Sequence, residues 1–143
     1  MTLTSDLMEN QKPRPKVGVG VLIVKEGKVL FGKRKGAHGA GSWCFPGGHL
    51  EFMEKVEDCA KRETLEEAGI KIKNISYVTI TEDMGKAEGE HYITVFVMAE
   101  WESGEAKVME PDKCEGWGWF EKRPRTSPDL AFSNPVFYRL KVA

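Results

Sequence analysis

The stretch that most constrains this chain is residues 46–70, PGGHLEFMEKVEDCAKRETLEEAGI. It opens on a proline and two glycines, which cannot form a regular helix. Residues 55–68 are then mostly helix formers, and Gly69 is a natural stop. The helix is read from propensity and that stop, because its amphipathic pattern is poor. Ala60, Thr64, Leu65 and Ala68 cover one side loosely, and charge occupies most of the rest. Asp58 with Arg62, and Glu57 with Lys61, stand at i,i+4 in the better orientation, worth roughly 0.2–0.5 kcal/mol each.

The segments around this helix read as strands. Residues 17–24, VGVGVLIV, are apolar and β-branched, as in a buried strand. Glu26-Gly27 separates them from VLFGKR and marks a tight hairpin turn. Residues 35–43 form a glycine-rich loop. Residues 74–82 alternate, and residues 91–101 are nearly continuously apolar, the pattern of a strand buried on both faces. An acidic, irregular connection over 102–116 leads to a short strand at 117–120, and a short helix is expected over 134–141. Residues 1–16, with Pro13 and Pro15, read as a flexible lead-in to a single domain over 17–143. Strands interleaved with one strong helix place the fold in the α/β (α+β) class, with a mixed central sheet.

Composition excludes several function classes. Among 143 residues, 21 Lys+Arg face 22 Asp+Glu, a net charge of −1, which argues against a nucleic-acid polymer as partner. Three scattered cysteines make neither a disulfide framework nor a zinc motif and read as reduced cytoplasmic thiols. The N-terminus lacks the pattern of a signal peptide, and no stretch approaches the ~20 apolar residues of a membrane helix. The expectation is a soluble cytoplasmic domain with no membrane partner. GVGVLI lacks the third glycine of a dinucleotide fingerprint, and no GxxxxGK run exists.

Glu63, Glu66 and Glu67 stand at i, i+3 and i+4, on one side of the helix. Each like-charged pair costs a few tenths of a kcal/mol, and the helix C-terminus disfavours anions. Lys61 and Arg62 offset part of this cost. A hard divalent cation such as Mg²⁺, which takes oxygen ligands, would offset far more. The preceding PGG turn lets backbone carbonyls approach a metal closely, and Glu51 and Glu54 add carboxylates at the start of the helix.

These residues carry a family resemblance. The segment resembles the signature of the Nudix hydrolases, G-x5-E-x7-R-E-U-x-E-E-x-G-U, where U is bulky and apolar. Gly48, Glu54, Arg62, Glu63, Glu66, Glu67, Gly69 and Ile70 match, and Thr64 at the first U is the one departure. GVGV…FGKRKG before it, PGGHLEF leading into it and MEPDKCEGWGWF after it resemble the MutT-like branch of nucleotide pyrophosphatases and their plant relatives. The resemblance covers residues 17–120 and is looser in the tail. It implies an α/β/α sandwich with the catalytic helix after the glycine-proline loop.

The resemblance also implies chemistry: water attacks one phosphorus of a pyrophosphate linkage, with Mg²⁺ (Mn²⁺ able to substitute) clamping phosphate oxygens and acidifying the water. By position, Glu63 and Glu67 are the implied metal ligands, with Glu66 in the shell and the Gly47 carbonyl as a further ligand. Arg62 orients a glutamate, and Glu54 is a supporting carboxylate. Glu63, Glu66 or Glu115 takes the water's proton. Arg34, in the basic run Lys33-Arg34-Lys35, suits bidentate phosphate contact. Gly48 and His49 of the turn, and Trp117 as a stacking surface, complete the substrate-binding set. His91 is read as structural or part of a pocket wall, and Trp119 as core.

The implied substrate is a nucleoside triphosphate, with an oxidised purine nucleotide such as 8-oxo-dGTP as one candidate, cleaved to the monophosphate plus pyrophosphate. The alternatives are another diphosphate (a nucleotide sugar, an isoprenyl diphosphate or a pterin triphosphate) and a non-catalytic nucleotide-binding module. The chain is expected to act as a monomer or homodimer.

Overall fold

The computed structural model describes residues 12–35, 41–85, 87 and 89–121. Strand β1 (Lys16–Lys25) turns at Glu26 and Gly27 into β2 (Lys28–Arg34). Both turn residues have positive φ, 50° and 75°, the geometry of a two-residue type I′ hairpin. The strands pair only beside the turn, Val24 with Val29 and Lys25 with Lys28. They then diverge: β1 takes β4 (Gly47–His49) as its antiparallel neighbour, and β2 takes β3 (Trp43–Cys44).

On its other edge β1 runs parallel to β6 (Glu90–Ser103), which pairs antiparallel with β5 (Lys71–Gly85). β7 (Cys114–Phe120) runs antiparallel to β2. The result is the expected mixed sheet, seven-stranded, with β5 at one end of the main path.

Helix α1 (Val56–Ala68) follows the β4 turn and stops at Gly69, whose φ of 70° is left-handed and whose N–H bonds the Leu65 carbonyl. It packs on the sheet through Cys59, Ala60, Thr64 and Ala68. These small side chains let the helix lie close against Val19, Val21, Ile23, Ile70, Ile72 and Val97. A narrow stripe of small residues suffices for that contact, so the sequence shows little amphipathic signal. A second cluster, Leu22, Val29, Phe31, Phe45 and Phe96, forms on the other side of the pleat.

Several expectations change. β6 is not buried along its length: only Phe96, Val97 and Ala99 are buried, because α1 is too short to cover the end where residues 91–95 lie half-exposed. β7 starts at Cys114 rather than at Trp117, and the glycine-proline stretch contains β3 and β4, both too short to leave a periodic signal. Arg62 turns away from Asp58 to Glu54, a carboxylate it can grip with two nitrogens. Residues 1–11 of the lead-in, most of the 35–43 loop and the 134–141 helix lie outside the described residues. Among the described residues no helix is long and apolar enough to cross a membrane.

Candidate active site

The site is built where β4 meets α1. A Cβ at Gly47 would run into the Val19 carbonyl oxygen, and one at Gly48 into the Glu63 carboxylate. Both positions therefore need glycine for close approach. The absent side chain at Gly48 is the space that Glu63 fills.

Arg62 organises one group of carboxylates. Its Nε and Nη2 donate to the two oxygens of Glu54 at 2.7 and 3.0 Å. Its Nη1 donates to Glu63 at 2.8 Å and lies 3.3 Å from Glu66, while Nη2 also reaches the His49 carbonyl at 3.2 Å. The guanidinium holds the Glu54 carboxyl down at about 2, and these acids hold Arg62 more firmly protonated. Cys59, buried beneath them, has its thiol pushed up to about 12, chiefly by desolvation, and is inert as a nucleophile.

Glu67 lies one helical turn on from Glu63 in a different environment. Its carboxylate accepts the Gly47 N–H at 3.3 Å. Burial pushes its pKa up to about 8, the Gly47 N–H opposes that shift, and neighbouring Glu63 and Glu110 add to it. Glu110 comes from the connection between β6 and β7. That loop is tied to the end of α1 by two backbone bonds, Lys107 N–H to the Ala68 carbonyl at 2.9 Å and Met109 N–H to the Glu67 carbonyl at 3.4 Å. They satisfy carbonyls that the helix terminus leaves free. Lys113 Nζ stands 3.5 Å from Glu110, whose charge raises the Lys113 pKa.

Glu67 and Glu110 open into a cleft of about 150 Å³. Lys33, Arg34 and Lys113 bring positive charge to it, and Phe45 and Trp117 bring aromatic surface. Trp117 lies over Gly32, where a Cβ would strike its ring, and its indole N–H is buried without a hydrogen-bond partner.

The predicted residues divide accordingly. Arg34, Gly47, Glu67 and Trp117 line the cleft. Glu63 and Glu66 belong to the Arg62 group, and Glu66 is about half exposed. Glu115 does not line the cleft: it faces Lys33 at 3.5 Å, at the register shift between β2 and β7. His49 points to a separate groove, where it stacks on Tyr92 at 5.5 Å and shares a 3.2 Å hydrogen bond with the Tyr92 hydroxyl. Glu110 is the cleft carboxylate that sequence reasoning missed. The available signal was its place before Pro111, with Lys113 three residues on.

The donor set suits a divalent cation: acidic oxygens, a buried carboxylate without a basic side-chain partner and a cradle of two glycines. Among the described residues no three acidic, His or Cys side chains converge into a closed cage, because Arg62 draws Glu63 and Glu66 to itself.

The profile of the NUDIX domain matches residues 14–131. The chain belongs to the Nudix family. Its fold matches the crystal structure of a MutT NUDIX hydrolase from Burkholderia pseudomallei at a TM-score of 0.81 and 35% identity, over 90% of this chain and 99% of that one. The Nudix sandwich implied by the signature is thus the fold of this chain. A curated relative, the oxidized purine nucleoside triphosphate hydrolase of Danio rerio, is 43% identical over 68 residues, 43% of this chain and 44% of that protein. An ADP-ribose pyrophosphatase of Methanocaldococcus jannaschii is 31% identical over 99 residues, 69% of this chain and 59% of that protein. The chain spans less than two thirds of the length of these curated Nudix relatives. It is a MutT-like Nudix hydrolase, and Nudix hydrolases generally use divalent metal ions.

Proposed function

We propose that this Nudix hydrolase cleaves a nucleoside triphosphate to the monophosphate and pyrophosphate, with an oxidised purine nucleotide as the leading substrate. The observation that carries this reading is the cleft, where two acids, three cations and two aromatic rings meet. Acidic oxygens suit a cation, the basic side chains suit phosphate, and ring faces suit a base. The name of the Danio rerio relative supports the choice of base.

Glu63, Glu66, Glu67 and the Gly47 carbonyl would hold Mg²⁺, with Mn²⁺ as a substitute. When bound, the ion neutralises phosphate charge and acidifies water. Arg62 orients Glu63 and Glu66 and stays clear of substrate. Arg34 and Lys33 hold phosphate oxygens, and Trp117 stacks on the base. Water attacks phosphorus, the bridging P–O bond breaks and the water's proton passes to a carboxylate. Glu110 is better placed than Glu115 for that last step, since it shares the cleft with Glu67. Free thiols at Cys44, Cys59 and Cys114 fit a cytoplasmic setting.

A second reading, hydrolysis of a nucleoside diphosphate linked to another group, is favoured by the broader match to the ADP-ribose pyrophosphatase. Product identification from a mixed panel in Mg²⁺ separates the two. Monophosphate plus pyrophosphate, with oxidised purine triphosphates turned over fastest, is the expected result. Preferential cleavage of ADP-ribose or a nucleotide sugar would overturn it.

A further inference from the structure

Strand β5 ends the sheet: β6 pairs with one of its edges, and no described strand pairs with the other. At 15 residues it is long for an edge strand, and edges of that kind invite pairing with another chain. Its register with β6 puts Tyr77 opposite Val97, Ile80 opposite Val95 and Met84 opposite His91. Those three residues therefore face the side on which α1 packs, since Val97 belongs to the α1 core and Val95 packs against it. Helix α1 does not reach them: Tyr77, Ile80 and Met84 are 66%, 64% and 59% exposed. An apolar strip thus runs along the open edge of the sheet.

The charge along β5 is ordered. Residues 74–81, NISYVTIT, carry none; Lys71 and Lys73 precede them and Glu82 and Asp83 follow. Such a strand is complementary to itself when reversed. A two-fold axis between Tyr77 and Val78 brings Lys73 of one copy opposite Glu82 of the other, and the reverse pair forms as well. It also places the uncharged β-branched stretches side by side.

We propose that β5 is the interface of a homodimer, in which the β5 strands of two copies lie antiparallel about this axis. The register shifts at Lys71/Ile72, Lys73/Ser76 and Tyr77/Thr79 kink the strand. Identical copies carry identical kinks, so the two-fold relates them too. The inference is independent of the substrate.

Sedimentation velocity over a micromolar concentration series tests it. The wild-type chain dimerises, and Ile80→Lys, at an exposed position that the fold tolerates, shifts it to monomer. Lys73→Glu sets like charges opposite each other twice and weakens dimerisation roughly tenfold. Adding Glu82→Lys to Lys73→Glu restores the wild-type association, and circular dichroism checks that each variant remains folded. A wild-type chain that stays monomeric would overturn the proposal and make the kinks a protection of the edge. A dimer indifferent to Ile80→Lys, or a double charge reversal no tighter than Lys73→Glu, would overturn it as well.

Discussion

Glu54 and Glu67 flank the same helix and have opposite surroundings. Glu54 shares both oxygens with Arg62 and is held ionised down to a pKa of about 2. Glu67 is buried with a backbone N–H for company and two other acids nearby, and its carboxyl rises to about 8. The first arrangement completes its charge balance within the protein. The second leaves a balance that only protonation or an added cation restores. A row of glutamates can therefore divide into structural and reactive members according to which one an arginine reaches.

The sharpest way to break this contrast is Glu67→Gln. Activity in saturating Mg²⁺ should fall roughly 10²–10³-fold, as when one preorganised electrostatic contact is lost. Stability without divalent ions should move the other way. A carboxyl whose pKa is raised on folding stabilises the fold fully below its unfolded value and ceases to do so as pH rises through about 8. Glu67→Gln should therefore raise the melting temperature near pH 8 and leave it little changed near pH 4; equal melting at both pH values would refute the buried-charge assignment. Glu54 has the reverse sign: its contribution is present at neutral pH and is lost as pH falls from 4.5 toward 2.

Glu110→Gln and Glu115→Gln sharpen the comparison next. The former should lower kcat by about 10²-fold, within the usual range for a general base. The latter should change it less than about threefold, as expected for a surface ion pair. A larger loss at Glu115 would return the proton-accepting role to that residue. Gly48→Ala should push Glu63 off its seat, costing about 1–3 kcal/mol by overpacking, readable in a urea titration. The smallest effect is expected at Thr64, whose buried hydroxyl has no partner. Thr64→Val should stabilise the fold by about 1 kcal/mol with kcat unchanged. A loss of stability there would mean that the hydroxyl is bonded after all.

What could be read from the residues alone follows from how local each signal is. The hairpin at Glu26-Gly27 and the stop at Gly69 are set by φ preferences of single residues, so both are legible. Strand β1 is legible through its β-branched run. Strands β3 and β4 are too short for any periodicity, and they exist because β1 and β2 diverge beyond their hairpin and leave edges to be paired. The end of β6 reads as buried because hydropathy cannot show where a helix from elsewhere runs out. The helix carboxylates were visible through spacing and through a signature. Glu110 has no such spacing to Glu67. Two backbone hydrogen bonds from a loop across the end of α1 bring it there, and long-range contacts of that kind leave no local pattern.

The parallel pairing of β1 with β6 also bears on the order of events during synthesis. Lys16 through Val24 find their partners at Tyr92 through Glu100. The helix that carries the catalytic acids therefore leaves the ribosome before the central rung of its sheet can close. Until β6 emerges, Val21, Leu22 and Ile23 have no finished core to enter, and the chain depends on the β1–β2 hairpin as its first local structure. Pausing translation ahead of residue 92 should leave a nascent chain open to proteases, and release past residue 103 should protect it.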